Sequence, residues 1–382
     1  MADRLSITIA GGGIGGLAAA TALRRAGHRV TVFERAPGFK PIGAGLAVWP
    51  NGGHALRDLG LGEVVDSASI PRGDGGIRRA RDGSLIAGSD IQEIEARYGA
   101  PLALVHRADL LDALLQAAGP ENVRFGAAVA AADGSGSVTL ADGERLEADV
   151  VVGADGIRSV VRGHLIGDGE PRPSGYVAYR SVVPGPPDLP AGEYWGQGEV
   201  FGVAPLSRNR IYWYASFPAD DDAGDDRSVW LDRLKERYAG WSEPVPSLLG
   251  STDPAVLLRH ELFDRDPIDG WGRGRATLLG DAAHPMLPFL GQGACCALED
   301  AVALGKTLQA DQLGDGIEGA LRAYEAERAP RAAGLIKGSR GAARVALTGS
   351  RLGTRIRDLV MSAVPERMRM RQFDRVVAPN GL

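Results

Sequence analysis

Residues 5–33 contain three apolar runs, with the patterns of a strand, a helix and a second strand. Residues 5–10 (LSITIA) form a short β-branched run that stops at glycines, which is typical of a fully buried strand in a parallel sheet. Residues 14–26 are rich in Ala and Leu and stop at Gly27, which predicts a helix with a glycine at its C-terminal end. Residues 29–33 (RVTVF) predict the next strand. Together they predict one strand-helix-strand unit of about 30 residues.

Apolar runs typical of a buried strand that ends at glycine occur twice more in the chain, on either side of a segment with a different residue pattern. Strands that alternate apolar and polar residues, with Pro and Gly turns, dominate residues 175–259 and predict a separate, mostly β domain. The other predicted elements are a helix at 107–118, strands at 123–129 and 138–140, buried strands at 148–153 (ADVVVG) and 276–280 (ATLLG), and a helix at 293–309. The first domain is therefore expected to be discontinuous in sequence.

Composition and charge narrow the class of protein. The 382 residues suit about two domains, and a formal net charge of -5 gives no electrostatic reason to bind nucleic acid. The only cysteines, Cys295 and Cys296, are adjacent, so no ordinary disulfide is expected, and no metal site is predicted. No apolar stretch approaches the roughly 20 residues that cross a bilayer. We expect a cytoplasmic protein acting on small molecules, without integral membrane contact.

A glycine-rich turn joins the first predicted strand to the first predicted helix. The sequence GGGIGG at residues 11–16 fits the pattern G-x-G-x-x-G in the context that the pattern requires. Gly11 permits the tight turn, Gly13 lets the backbone approach a pyrophosphate, and Gly16 lets the helix pack close to the strand. Glu34 ends the second strand, where a carboxylate can bind a ribose. An adenine dinucleotide site is predicted, and this motif alone leaves both NAD and FAD possible.

Two later segments favour FAD over NAD, because they resemble segments of a known family. GADGIRS at 153–159 and LLGDAAHPMLPFLGQGACCALEDA at 278–301 resemble the DG and GD segments of the FAD-dependent aromatic monooxygenases, the para-hydroxybenzoate hydroxylase class. GAGLAVWPN (43–51), VHRADLLDAL (105–114) and AYEAERAPR (323–331) extend the resemblance over nearly the whole chain. Within that class the pattern is similar to the salicylate, 3-hydroxybenzoate and 6-hydroxynicotinate hydroxylases, to urate hydroxylase and to zeaxanthin epoxidase.

The resemblance implies a set of FAD contacts. Asp281 is expected at the ribitol, Arg107 near the phosphates, and the backbone around Gln292 at the isoalloxazine. Asp155 resembles a residue tied to both FAD and the reduced nicotinamide, although a purely structural role is also open. The full set of expected cofactor residues is Gly11, Gly13, Ile14, Gly15, Gly16, Glu34, Arg35, Gly45, Arg107, Val129, Asp155, Asp281, Gly291, Gly293 and Ala294.

The resemblance also implies a fold and its division. We expect an α/β protein with an FAD-binding Rossmann-like domain, a β-sheet substrate domain and C-terminal helices. The FAD-binding domain is expected at 1–70, 101–170 and 266–337, a substrate-domain excursion at 71–100, the β-rich substrate domain at 171–265, and a C-terminal helical region at 338–382. That last region is Arg-rich and broken by Pro365, and we expect its helix to pack on the main body with a solvated basic face, a membrane contact being the alternative.

The expected substrate contacts come from the β-rich domain and the GD segment. Pro288 is expected beside the flavin edge. Period-2 alternation places Tyr212 and Tyr214 on one face of the strand at 210–217, and Arg180 is positioned to meet a substrate carboxylate, or is an ordinary surface arginine. His260 joins the two tyrosines as a candidate base. The two cysteines are expected to be packing residues, and for His284 a catalytic role and a structural or solvent-facing one both stay open.

The implied activity is that of a single-component monooxygenase. NADH or NADPH would reduce FAD as a transient co-substrate, dioxygen would give a flavin C4a-hydroperoxide, and an aromatic or heteroaromatic ring would be hydroxylated. The chain has no second G-x-G-x-x-G unit, in agreement with a visiting nicotinamide. The alternatives are an epoxidase or tailoring oxygenase for an alkene or polycyclic substrate, and a flavoprotein without oxygenase activity. A monomer or homodimer is expected.

Overall fold

The computed structural model describes residues 4–39, 44–68, 74–186, 188–219, 224–309, 313 and 316–378. The strands are β1 (Ser6–Ala10), β2 (Arg29–Glu34), β3 (Gly45–Val48), β4 (Asp74–Arg79), β5 (Leu85–Asp90), β6 (Ala103–His106), β7 (Val123–Phe125), β8 (Val129–Ala132), β9 (Ser137–Leu140), β10 (Arg145–Glu147), β11 (Val150–Gly153), β12 (Arg172–Pro184), β13 (Gly192–Trp195), β14 (Val200–Leu206), β15 (Arg210–Pro218), β16 (Leu258–Asp264) and β17 (Ala276–Leu278). The helices are α1 (Ile14–Arg25), α2 (Pro50–Asp58), α3 (Gly62–Asp66), α4 (Ile91–Tyr98), α5 (Arg107–Ala118), α6 (Val160–Leu165), α7 (Arg227–Tyr238), α8 (Val245–Gly250), α9 (Gly293–Thr307), α10 (Gly316–Ala346), α11 (Arg351–Ala363) and α12 (Glu366–Val377).

A five-stranded sheet in the order β17-β11-β1-β2-β7 forms the first layer. All of its neighbouring strands are parallel, and β1 and β11 are buried almost throughout, as their apolar runs predict. Helices α1 and α9 pack closely, since a Cβ on Gly305 would lie 2.8 Å from the Cβ of Ala22. Three adjacent strands of this sheet, β1, β11 and β17, come from residues 6–10, 150–153 and 276–278, which lie far apart in sequence.

A seven-stranded sheet in the order β16-β12-β15-β14-β13-β4-β5 forms the second layer. One face, with Trp213, Ala215 and Phe217, packs against α7 and α8. The opposite face carries Tyr212 and Tyr214 and packs against β3, β6 and the end of α10. The two strands β4 and β5 join this sheet from a distant part of the sequence, which is where the excursion at 71–100 is predicted.

Two local predictions need correction. The strand predicted at 123–129 is two strands, because Gly126 has a φ of +70° and turns the chain between β7 and β8. The mostly β region also contains α7 and α8, whose apolar residues cover the outer face of the sheet. The α/β class with C-terminal helices is confirmed, and those helices break at Pro365 as predicted. The exact domain boundaries stay a prediction.

Among the residues that the structure describes, no helix is long and apolar enough to cross a membrane.

Candidate active site

The glycine turn combines two crowded positions with one open position. A Cβ on Gly11, whose φ is +103°, would lie 2.4 Å from the carbonyl oxygen of Ala154, and a Cβ on Gly16 would lie 1.9 Å from that of Gly11. A Cβ on Gly13 would meet nothing within 4 Å. Gly13 is the N-cap of α1 and provides no side-chain cap, so the first backbone N–H groups of the helix are available to an anion. Ile14 and Gly15 begin this helix, with Gly15 against Leu279.

Glu34 connects the end of β2 to the glycine turn. Its carboxylate accepts hydrogen bonds from the backbone N–H of Gly12 at 2.7 Å and of Ala36 at 2.8 Å. These bonds hold the Glu34 carboxylate beside the glycine turn, and its contact with a ribose stays a prediction. Arg35 beside it is exposed, and Val129 opens β8 three residues after the turn at Gly126.

Asp155 lies against the same turn but has a structural role of its own. Its carboxylate accepts hydrogen bonds from the Ser159 hydroxyl and from the backbone N–H groups of Val160 at 2.7 Å and Val161 at 3.2 Å, which caps α6. Its Cα would lie 2.8 Å from a Cβ on Gly11. The structure thus explains this aspartate without a ligand, and its contact with a cofactor stays a prediction.

Arg107 and Asp281 provide opposite charges in one cleft. Enclosure by the surrounding protein lowers the pKa of Arg107, and the nearby carboxylates of Asp281 and Glu34 oppose that shift. Enclosure likewise raises the pKa of Asp281, opposed by His284 and Arg107. Arg107 is therefore within electrostatic range of both predicted cofactor carboxylates, and its own N–H is anchored to the carbonyl of Ala44 at 2.9 Å.

Around the turn before α9, beside this cleft, several buried polar atoms of the described residues have no hydrogen-bond partner. Gly291 has a left-handed φ of +62°, and Gln292 is an N-cap that gives no side-chain hydrogen bond to the helix. The Asn51 amide donates to the Gln292 side-chain oxygen at 2.9 Å. Within the described ranges, Asn51 Oδ1, Gln292 Nε2 and Trp49 Nε1 are buried and have no hydrogen-bond partner.

Unpaired buried polar atoms at a helix N-terminus suit a ligand with a polar edge, and the isoalloxazine of FAD has one. A Cβ on Gly293 would lie 3.8 Å from Asp281 Oδ1, so the α9 turn and the predicted ribitol contact adjoin each other. These residues fit FAD. Asn51 and Trp49 lie inside the motif GAGLAVWPN, yet their contact with the α9 turn could not be inferred because it joins residues far apart in sequence.

A buried network of ion pairs and hydrogen bonds connects α9 to Arg328 and His284. The Asp300 carboxylate accepts from Arg328 Nε at 2.8 Å, from the backbone N–H of Gly280 at 3.1 Å and from His284 Nε2 at 2.5 Å. Arg328 also pairs with Glu299 at 2.9 Å and approaches the sulfur of Cys296 at 3.6 Å. His284, Cys296 and Asp300 lie close enough together to hold a metal ion, but the guanidinium of Arg328 already provides the positive charge there.

This geometry agrees with the packing role expected of the cysteines and, of the alternatives for His284, with the structural one. Asp300 and Cys296 raise the pKa of His284 well above its usual value despite its burial. Cys295 is buried against Trp49 and Gly52, and this burial raises the pKa of its thiol to about 12. Neither sulfur is in a disulfide.

The inner face of the seven-stranded sheet brings the predicted substrate residues together. Arg180 lies directly across from Tyr214 in the β12–β15 ladder, and Arg180 Nη1 lies 3.3 Å from His260 Nδ1. Because a guanidinium can only donate, this imidazole nitrogen accepts. Tyr212 packs against the cofactor domain, since a Cβ on Gly45 would lie 2.6 Å from its ring.

Glu193 was missed by sequence reasoning and joins the same face. Its carboxylate accepts hydrogen bonds from the Tyr214 hydroxyl and, at 2.7 Å, from Trp195 Nε1. Burial raises the pKa of Glu193. Burial and the neighbouring Glu193 carboxylate together raise the pKa of Tyr214 well above its usual value of 10. Burial also raises the pKa of Tyr212. Both phenols are therefore proton donors at neutral pH rather than bases.

Pro288 lies in the segment between β17 and α9. It opens the short 3₁₀ turn Pro288–Leu290 and is itself exposed. The next residue, Phe289, packs edge-on against Tyr176 of the substrate sheet with ring centroids 6.2 Å apart. The turn therefore connects the α9 N-terminus to the inner face of the sheet.

One Rossmann-type cleft, closed by the α9 turn and facing a substrate sheet, defines an FAD-dependent oxidoreductase. The family described as "FAD binding domain" matches residues 4–339, and the chain belongs to it. Aurachin C monooxygenase/isomerase of Stigmatella aurantiaca is 40% identical, over 89% of each chain. FAD-dependent urate hydroxylase of Klebsiella pneumoniae is 34% identical over 86% of this chain and 87% of the relative.

A solved structure with a similar fold supports the same conclusion. HpxO of Klebsiella pneumoniae, complexed with FAD and uric acid, superposes with a TM-score of 0.91 at 30% identity, over 99% of this chain and 98% of HpxO. The protein is an FAD-dependent monooxygenase, as the resemblance implies.

Proposed function

We propose that this monooxygenase hydroxylates an aromatic or heteroaromatic small molecule held between the FAD cleft and the inner face of the substrate sheet. The observation that carries the proposal is the joint placement of Arg180, Tyr212 and Tyr214 on that face. Arg107 of the cofactor cleft lowers the pKa of His260 on the same face, so the two sides are within electrostatic range.

The cofactor cleft contributes binding and orientation. When bound, FAD provides redox chemistry with dioxygen, and NADH or NADPH is the proposed source of electrons. Glu34, Arg107, Asp281 and the turns at Gly13 and Gly293 are the residues that would hold it. The free N–H groups at the start of α9 favour negative charge on a group placed there.

The substrate side contributes recognition. Arg180 is always charged, so it favours a substrate with a carboxylate or an ionisable ring oxygen. Tyr212 keeps its proton, because burial raises its pKa, and it would donate a hydrogen bond to the substrate edge. Tyr214 also keeps its proton, but it already donates that proton to Glu193, so its oxygen could only accept from the substrate. Partial desolvation by the surrounding protein, together with Arg180 and Arg107, lowers the pKa of His260, so its imidazole is neutral at pH 7 and available to accept a proton.

The test is a screen for substrate-dependent NAD(P)H consumption, followed by mass spectrometry of products made under ¹⁸O₂. A phenolic product carrying one labelled oxygen supports the proposal. A labelled epoxide or rearranged product supports the alternative, a tailoring oxygenase. Oxidation of NAD(P)H without labelled product for every compound supplied would contradict oxygenase activity.

A matched pair of variants tests the recognition side. We expect Arg180→Met to reduce kcat/KM by about 10- to 100-fold, the effect of losing a charged hydrogen bond. Arg259→Met is the control, because Arg259 lies across from Tyr179 and therefore on the outer face. Equal losses in both variants would contradict recognition by Arg180.

The proposed compartment is the cytoplasm, supported by the two free thiols.

A further inference from the structure

Helix α11 turns an apolar stripe toward solvent. Leu352, Ile356, Leu359 and Val360 are 69%, 53%, 70% and 56% exposed. Spacings of four, three and one residue place these side chains on one face of the helix. Ten large hydrophobic side chains are exposed in the described part of the chain, and six of them lie between residues 345 and 368, so the exposure is concentrated here.

The opposite face of α11 is fixed to the protein by polar contacts. Arg357 is buried and donates to the carbonyls of Ala346 at 2.9 Å and Gly196 at 3.3 Å. Its guanidinium also lies 5.1 Å from the Trp195 ring. Met361 packs on the same cluster. The helix is thus oriented with its apolar stripe outward, which is the reverse of the packing expected from the sequence.

The surroundings of the stripe are basic. Residues 338–377 contain nine arginines and three acids in a chain whose net charge is -5. Arg351 and Arg355 are exposed at one edge of the stripe, and no carboxylate of the described residues lies within ion-pair distance of either. The only acid of α11, Asp358, is paired with Arg357 at 2.9 Å.

We propose that α11 docks this monooxygenase on the surface of an anionic phospholipid bilayer. Exposed apolar side chains beside unpaired arginines are the pattern of a helix that lies in the membrane interface. Its 13 residues span about 20 Å, too short for the roughly 30 Å of a bilayer core, so the helix lies on the membrane and does not cross it.

The main competing occupant is a second copy of the chain, with two α11 stripes packed together. That arrangement would bring together two regions that each contain nine arginines and three acids, and surfaces with the same net charge oppose association. An anionic lipid surface satisfies both the apolar stripe and its basic edge. The charge around the stripe therefore favours the bilayer.

The experiment is flotation of the FAD-loaded full chain with vesicles of phosphatidylcholine alone or with 30% phosphatidylglycerol. We expect at least tenfold stronger binding to the anionic vesicles, weakened by added salt. The variant Leu352→Ser/Ile356→Ser/Leu359→Ser should lose at least tenfold. Arg351→Gln/Arg355→Gln should lose roughly 10- to 30-fold, since each arginine near the surface contributes roughly fivefold.

A control variant and a second measurement keep the outcomes distinct. Val229→Ser changes an exposed apolar residue of α7 and should leave vesicle binding unchanged. An unchanged flavin absorbance spectrum in each variant shows that the fold is intact. Absence of binding to either vesicle overturns the proposal. A concentration-dependent dimer in sedimentation, abolished by the triple serine variant and unaffected by vesicles, overturns it in favour of the second copy.

Discussion

Arg328 neutralises two carboxylates in the interior of the cofactor domain. It is fully buried and pairs with Asp300 at 2.8 Å and with Glu299 at 2.9 Å. Replacing it by alanine leaves the carboxylate of Asp300, which is also fully buried, with His284 as its one charged partner among the described residues. Removing one member of a buried ion pair costs about 3–5 kcal/mol, mostly because the remaining charge is uncompensated. We expect Arg328→Ala to lower the free energy of unfolding by that amount.

Arg331 provides the matched comparison within the same network. It also pairs with Glu299 at 2.9 Å, but its side chain is 17% exposed and Glu299 keeps Arg328 as a partner after Arg331 is removed. Arg331→Ala should therefore cost only about 1 kcal/mol.

The assay is urea unfolding of the FAD-loaded protein, followed by tryptophan fluorescence and far-ultraviolet circular dichroism at one fixed FAD concentration. For a urea slope of about 3 kcal/mol per molar or more, Arg328→Ala should lower the midpoint by on the order of 1 M. The midpoint of Arg331→Ala should fall by a third of that or less. Similar shifts for the two variants would refute the reasoning that burial of the Arg328 pairs sets the cost.

Three further predictions concern the cofactor cleft and its surroundings. Glu34→Ala should weaken FAD binding by about 10- to 150-fold, measured by flavin fluorescence on reconstitution, and a change below threefold would contradict the ribose role. Gly16→Ala should prevent folding, because its Cβ would overlap the Gly11 carbonyl, whereas Gly13→Ala should fold and bind FAD weakly, with Gly163→Ala as a control for an open position. His260 has a lowered pKa, so as pH falls below about 6.5 the unfolded chain binds a proton that the folded chain resists, and stability should fall. His260→Gln should remove that part of the acid dependence of the urea midpoint, and parallel curves for the two proteins would show that His260 does not contribute.

The sequence predicts the parts of the fold that depend on local patterns. The run at 5–10, the turn with Gly11 and Gly16, and the helix after it are found almost where the pattern places them, because burial and backbone sterics act within a few residues. The strand at 123–129 was wrong because Gly126 takes a left-handed turn that an apolar pattern does not reveal.

The contacts within the candidate site were less predictable, because they join distant residues. The pairing of Asn51 with Gln292 spans 241 positions, and the hydrogen bond from Tyr214 to Glu193 crosses between strands. Neither has a periodic signal. The packing predicted for α11 was wrong for a physical reason. A sequence pattern shows that one face of a helix is apolar but does not show whether that face is buried. In α11 the buried face carries Arg357.

The strand order of the parallel sheet has a consequence for biosynthesis. β1 lies beside β11, which lies beside β17, and the glycine turn is packed by Ala154 and by Leu279. The walls of the cleft are therefore incomplete until the roughly 270 residues from β1 to β17 have been synthesised, which takes on the order of tens of seconds at usual rates of translation. Until then the nascent chain presents unpaired apolar strands that FAD cannot stabilise. Chaperone binding and the supply of flavin during synthesis should therefore influence the yield of this protein more than in a protein whose cofactor domain is contiguous.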